Sequence, residues 1–312
     1  MIFERLCIAV AGLLLITGEA FADHKQQTTD TGSFNFVVLA DTAYSIPKDY
    51  PAYYTLISTI NHANPAFTIH LGDTKGGGTN CGDKAQKKIL EDFGRFEGPL
   101  IYTPGDNEWT DCRRIVAGGY KPVERLKVIR EWFFPNSDSL GRQPIKLRTQ
   151  VDQGFPENAL WWKAGVLFVT AHIVGSNNGL TDGYKKAESE YRRRNEANLR
   201  WIEQAFAEAT LEKAEAVVLA YHANMFFETP RPDGFKDVRS LIGELGSKFG
   251  KPVLLLHGDH HSFIIDQPYG GGAANIIRLQ SFGAPDIKAV SVRVDTAEDS
   301  VFSFGPIYDG KR

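Results

Sequence analysis

The sequence predicts an α/β fold organised as a single domain. Three observations carry that prediction: the chain opens as strand, helix, strand; apolar runs of strand length then alternate with helical segments; and beyond Ser262 only short strands remain, separated by turn residues. With 312 residues, 42% of them hydrophobic and 23% charged, the composition is that of an ordinary globular chain. A chain of this length buries roughly three quarters of its unfolded surface, so it needs no staple to fold. The formal net charge of -3 offers no basic footprint for nucleic acid and no attraction to anionic membranes.

Residues 34–40 form a short β-rich run, 52–60 a helix and 66–71 a second strand. A helix over 84–96, a short strand over 99–102 and a helix over 122–134 that starts at a proline continue the alternation. Residues 166–174 and 216–221 read as buried strands because their apolar content is continuous. Between them Leu199, Ile202, Phe206 and Ala209 recur at helical spacing. Residues 237–249 make a further helix and 252–256 a strand. The tail then holds 263–265, 276–279 and 289–294, which suggest an antiparallel sheet completing the fold, while 135–160 and 175–186 read as long loops.

The N-terminus carries its own signal. Arg5 precedes an almost wholly apolar run over 6–17, and Ala20 and Ala22 place small residues two apart before the chain turns polar at Asp23. This reads as a secretory signal over 1–22, cut after Ala22, and an uncleaved anchor is the alternative. Residues 23–33 look like a disordered lead-in to a domain over 34–312, placing the protein outside the cytoplasm, secreted or periplasmic. Cleavage removes Cys7 from the three cysteines and leaves Cys81 and Cys112. In an oxidising compartment a disulfide between them is the preferred reading, with two unpaired thiols as the alternative.

Acidic and histidine residues fall at the ends of the expected strands. Asp41 ends the first, Asp73 follows the second, Gly105-Asp106-Asn107-Glu108 follows the third, His222 follows the strand ending at Tyr221, and Gly258-Asp259-His260-His261 follows 252–256. In an open α/β sheet the carboxyl ends of the strands line one edge, so five such loops share one site. Clustered carboxylates repel one another unless a cation lies between them, and a mixture of carboxylate, amide and imidazole suits a divalent metal.

Taken in order, these motifs resemble those of the calcineurin-like metallophosphoesterase family, which includes the purple acid phosphatases. The resemblance spans residues 34–262 and implies two mixed β-sheets packed face to face and flanked by helices, a four-layer αββα sandwich. It implies a phosphoesterase in which a metal-activated hydroxide attacks phosphorus directly, with a small phosphorylated substrate. Carried over by position, Asp41, Asp73 and His261 hold the first metal, and Asp73, Asp106, His222 and Asp259 the second. Three motifs depart from the pattern: Ala43 stands where a histidine is expected, Asp106-Asn107 replaces Asn-His, and Asp259 replaces a ligand histidine. More oxygen and less nitrogen favours Mn, Mg or Ca over Zn, with Fe an option, at one or two sites.

Asn107 is the expected donor to a phosphoryl oxygen but has no proton to give the departing alcohol. His260 and Glu108 are the candidates for that proton, each with an alternative role orienting the ligand beside it. Arg113, or Arg114 next to it, is the expected arginine for the substrate phosphate, with solvation as the other reading. Lys75 and Gly76 to Gly78 lack phosphate-loop spacing and read as a flexible rim. His70 and His172 lie inside apolar strands and read as core residues. Because three motifs are altered, a non-catalytic or single-metal binding protein on the same scaffold is the alternative to an enzyme.

Overall fold

The computed structural model describes residues 32–180, 185–227 and 230–308. The expected signal segment over 1–22, most of the lead-in and part of the 175–186 loop lie outside the described residues. Among the described residues no helix is long and apolar enough to cross a membrane.

The first sheet grows from β1 (Phe34–Leu39), which pairs in parallel with β2 (Thr68–His70), itself parallel to β3 (Leu100–Tyr102). The second sheet starts with β4 (Arg148–Gln150) and β5 (Phe155–Lys163), antiparallel neighbours, and continues through β6 (Val166–Thr170), β7 (Ala216–Ala220) and β8 (Val253–His257), which run parallel. The tail after Ser262 does not form one antiparallel sheet, as its composition suggests, but divides between the two. β9 (Ile264–Asp266) and β10 (Ile276–Gln280) extend the second sheet, with β10 parallel to β8. β11 (Ala289–Val294) and β12 (Phe302–Ile307) cross to the first and pair antiparallel beside β1. Five strands in the order β12-β11-β1-β2-β3 thus face seven in the order β4-β5-β6-β7-β8-β10-β9.

Side-chain alternation along the strands builds three cores. Phe36 and Val38 of β1 point between the sheets, where they meet Val218 of β7 and Leu254 of β8. Val37 and Leu39 point the other way, onto α1 (Tyr50–Ala63), α2 (Asp83–Phe93) and α3 (Pro122–Phe133), which supply Leu56, Ile57, Ile89, Phe93 and Ile129. Val217 and Leu219 of β7 pack outward on α4 (Lys185–Leu211) and α5 (Lys236–Phe249) through Ile202, Phe206 and Ile242. The result is the helix-sheet-sheet-helix sandwich.

Two elements are longer than their apolar pattern shows, for one physical reason. α4 begins well before Leu199 because its first half buries polar residues: Arg194 is fully buried, donates to the carbonyls of His172 and Asn178, and pairs with Glu190 at 2.8 Å. β4 and β5 occupy much of the stretch expected to be loop, because β5 turns Glu157 and Asn158 inward. Glu157 accepts from both the Nε and Nη2 of Arg130 and meets His172 Nδ1 at 2.8 Å, so a charged residue sits in a buried strand without an unpaired charge. His70 and His172 are both buried, with His70 Nδ1 accepting from the amide of Gly72.

Burial opposes the charged form of Glu157, but the His172 hydrogen bond and the Arg130 charge outweigh it and hold its pKa at about 2, below the usual 4.5. A depressed carboxyl contributes stability that is complete above the unfolded pKa and is lost as pH falls toward the folded one. Arg130→Met therefore destabilises the protein most at neutral pH. The difference in urea midpoint from wild type shrinks as pH falls from 4.5 toward 2; a difference independent of pH removes the ion pair from the account.

Candidate metal centre

The sheets bring the carboxyl ends of β1, β2, β3, β7 and β8 to one edge, and all six expected ligands meet there. Asp41, Asp73 and His222 offer ligand atoms within 4.8 Å of one another, as do Asp106, His222 and Asp259, so His222 belongs to both groups. His261 Nε2 lies 3.5 Å from Asp41 Oδ1 on the opposite flank from Asp106. Asp41 and His222 are fully buried, Asp73 and Asp106 nearly so.

Backbone geometry explains how four carboxylates come so close. Asp41, Asp73, Asp259 and His261 have φ of 54°, 53°, 80° and 57°, the left-handed region that side chains other than glycine seldom adopt. Each turn bends sharply there and aims its side chain back across the strand end. Glycines let neighbouring backbones press against the ligands. A Cβ on Gly105 would sit 2.1 Å from Asp73 Oδ1, and one on Gly258 would sit 2.3 Å from Asp41 Oδ2.

Around this centre a set of buried groups fixes the loops. Glu108 is fully buried and accepts from the amides of Asp73, Thr74 and Gly105 and from the Thr74 hydroxyl, so it ties the second loop to the third and has no part as an acid. Lys75 is not a rim residue. It is 1% exposed, and its ammonium donates to the Asn107 carbonyl at 2.6 Å and the Thr79 carbonyl at 3.1 Å. The Cys81–Cys112 disulfide, with Cα atoms 5.7 Å apart, closes over the same backbone, Cys112 Sγ lying 3.2 Å from the Glu108 carbonyl. The Asn107 side-chain amide donates to the Tyr44 hydroxyl and the Lys75 carbonyl, each at 3.1 Å. Both of its protons are therefore committed inside the protein, and in this arrangement Asn107 has none for the expected phosphoryl contact.

Three further polar groups contact the expected ligands. Tyr44 places its hydroxyl 2.8 Å from Asp73 Oδ2, 3.2 Å from Asp41 Oδ1 and 3.3 Å from His261 Nε2, beside the position where Ala43 supplies no imidazole. Ser176, in the loop after β6, donates to Asp106 Oδ2 at 2.8 Å. Asn224 donates its amide to Asp259 Oδ2 at 2.9 Å. The arginines also separate. Arg113 lines a cavity of about 530 Å³ with Trp109, Lys121, Phe155 and Arg193. It is Arg114, paired with Asp111 at 2.7 Å, whose Nη1 borders Gly77 together with Asn107 Oδ1. His260 is about one third exposed, with Nδ1 3.7 Å from Asp259 Oδ2.

The electrostatics are those of a cation site. Burial, with repulsion from Asp106, Glu108 and Asp41, raises Asp73 well above the usual carboxylate range, and burial with Asp106 and Asp41 raises Asp259. Burial and the Asp73 and Asp41 charges likewise push the Tyr44 phenol up. Burial works against protonated His222, but Asp73, Asp106, Asp41 and Asp259 together raise its pKa well above normal. His222 Nδ1 lies 2.7 Å from the Leu71 carbonyl and donates to it. Its Nε2 then faces Asp106 Oδ1 at 3.1 Å, Asp73 Oδ1 at 3.4 Å and Asp259 Oδ1 at 3.9 Å. Without a metal, a proton on His222 is one positive charge against the carboxylates of Asp41, Asp73, Asp106 and Asp259, and Lys75 and Arg114 are turned to other partners; a divalent metal fits the donor set.

Fold and site together define the protein as having the calcineurin-like metallophosphoesterase fold. Among solved structures it is similar to a dimetal phosphatase from Danio rerio, at 10% identity and a TM-score of 0.51 over 89% of this chain and 99% of that one. It is equally similar to GAP50, the anchor in the inner membrane complex of Plasmodium, at 10% identity and a TM-score of 0.51 over 90% of both chains. At such identity the likeness concerns the fold. No family model matches the chain, and no curated protein matches its sequence.

Asp259→Asn removes one of four mutually repelling carboxylates. In EDTA this variant unfolds at a higher temperature than wild type, by the equivalent of about 1 kcal/mol, and it shows a smaller rise on adding Mn²⁺. An Mn²⁺-induced rise equal to that of wild type removes Asp259 from the ligand set.

Proposed function

We propose that this protein is an exported, metal-dependent phosphoesterase. The observation that supports it best is the convergence of Asp41, Asp73, Asp106, His222, Asp259 and His261 at one sheet edge, with His222 directed at three carboxylates. Asp41, Asp73 and His261, with the Tyr44 oxygen beside them, would hold one cation, and Asp73, Asp106, His222 and Asp259 the other. When bound, divalent ions there activate water, hold the oxygens of a phosphate ester and offset its charge. Oxygen-rich ligands favour Mn, Mg or Ca over Zn. Export is supported by the apolar N-terminal segment and by the disulfide, which persists in oxidising compartments.

The chain's own residues divide the remaining work. Asn107 holds the Tyr44 phenol against Asp41 and Asp73, and so positions that oxygen. His260, beside Asp259 and partly exposed, is placed to hand a proton to the departing alcohol. Arg114, whose Nη1 borders Gly77 together with Asn107 Oδ1 and whose Nη2 pairs with Asp111, is the arginine assigned to a substrate phosphate.

One observation favours a second reading, a binding protein that keeps the metal without turnover: the Asn107 donors are already used. A screen of Mn²⁺, Mg²⁺, Ca²⁺, Fe²⁺ and Zn²⁺ against monoesters, diesters and nucleotides separates the two. Turnover with at least one metal is expected, falling by at least about a hundred-fold in Asp73→Asn with the fold retained. Unchanged hydrolysis in Asp73→Asn overturns the assignment of the centre as catalytic, and no turnover with any combination favours the binding protein.

A further inference from the structure

The loop that follows β7 does two things in six residues. His222 turns inward toward the carboxylates, whereas Phe227, five residues further on, is 61% exposed. Its ring centroid lies 4.0 Å from that of His260, at an interplanar angle of 41°. His260 in turn has Nδ1 3.7 Å from Asp259 Oδ2, so this aromatic surface begins one side chain away from a proposed metal ligand. Asn224, between His222 and Phe227, donates its amide to Asp259 Oδ2 at 2.9 Å and its side-chain amide to Gln280 at 2.6 Å, which anchors the loop under the pair. The other exposed phenylalanine near the centre, Phe263, is stacked face to face on Phe282 at 4.6 Å and so already spends one face within the protein.

We infer that Phe227 and His260 form a shelf for the organic part of the substrate, and that the preferred substrates are phosphate esters of aromatic alcohols or nucleosides. The inference rests on the phosphoesterase reading and adds the substrate class. An ester whose phosphate sits at the metal centre presents its alcohol on the solvent side, next to Asp259 and His260, and a planar group there gains ring contact and covers Phe227. Offset or edge contact between rings corresponds to a three- to ten-fold effect, roughly, for each ring engaged.

The test compares kcat/KM for 4-nitrophenyl phosphate and adenosine 5′-monophosphate with that for glycerol 2-phosphate and ribose 5-phosphate. Phe227→Ala lowers the aromatic-to-aliphatic preference roughly three- to ten-fold, mainly through KM, Phe227→Tyr restores it, and Phe263→Ala leaves it at the wild-type value. Loss of preference with the nitrophenyl ester alone, or with the nucleotide alone, states which source of the aromatic group the shelf takes. An unchanged preference in Phe227→Ala, or an equal loss in Phe263→Ala, overturns the shelf. Binding is read separately from turnover by saturation-transfer NMR with phenylphosphonate and Mn²⁺. Transfer to the ring protons that disappears in Phe227→Ala supports the shelf even if no ester is hydrolysed, a result that would count against the phosphoesterase reading alone. Absence of transfer in the wild-type protein overturns the shelf.

Discussion

Mutual repulsion among Asp41, Asp73, Asp106 and Asp259 is the constraint around which this fold is arranged. Left to themselves, these buried carboxylates would separate or take up protons, and the raised pKa values of Asp73 and Asp259 measure that tendency. The protein holds them together with backbone and with the His222 imidazole at their centre. Two sheets fix the strand ends, left-handed turns aim the side chains inward, and glycines let Asp73 and Asp41 lie against neighbouring main chain. A site built this way is preorganised for a cation, since the free energy spent on repulsion without metal is returned when one binds.

The surrounding groups serve that rigidity. Glu108 accepts from three loop amides and the Thr74 hydroxyl, Lys75 spends its charge on carbonyls, and the disulfide closes over the Glu108 carbonyl. A carboxylate, an ammonium and a cystine beside a metal centre thus act as a frame that keeps the third loop from drifting when its Asp106 carries charge. The same pattern recurs deeper in the protein, where Arg130, Glu157 and His172 let a strand carry charge into the core.

Departures from the family's motifs are compensated in space. Ala43 brings no imidazole, and the Tyr44 oxygen stands beside that position. Asn107 replaces a histidine and, instead of serving a substrate, holds Tyr44 in place. Substitution at one motif therefore has a partner in another.

The sequence by itself determined the alternation of strands and helices and which loops bring acidic and histidine residues to one sheet edge, because apolar periodicity and acidic residues at strand ends are local features. It misread β4, β5 and the first half of α4, where Glu157, Asn158 and Arg194 make buried segments look polar, and pairing partners far along the chain are what permit their burial. It also read the tail as one antiparallel sheet, whereas the tail divides between the two sheets, since strand composition does not say which sheet β11 joins. Only the tertiary structure shows what Tyr44, Ser176, Asn224, Arg114 and Phe227 lie against. Their chemistry depends on which oxygen, ring or carbonyl lies within a few ångströms, and in a sandwich of this kind most of those neighbours come from other loops at the same sheet edge.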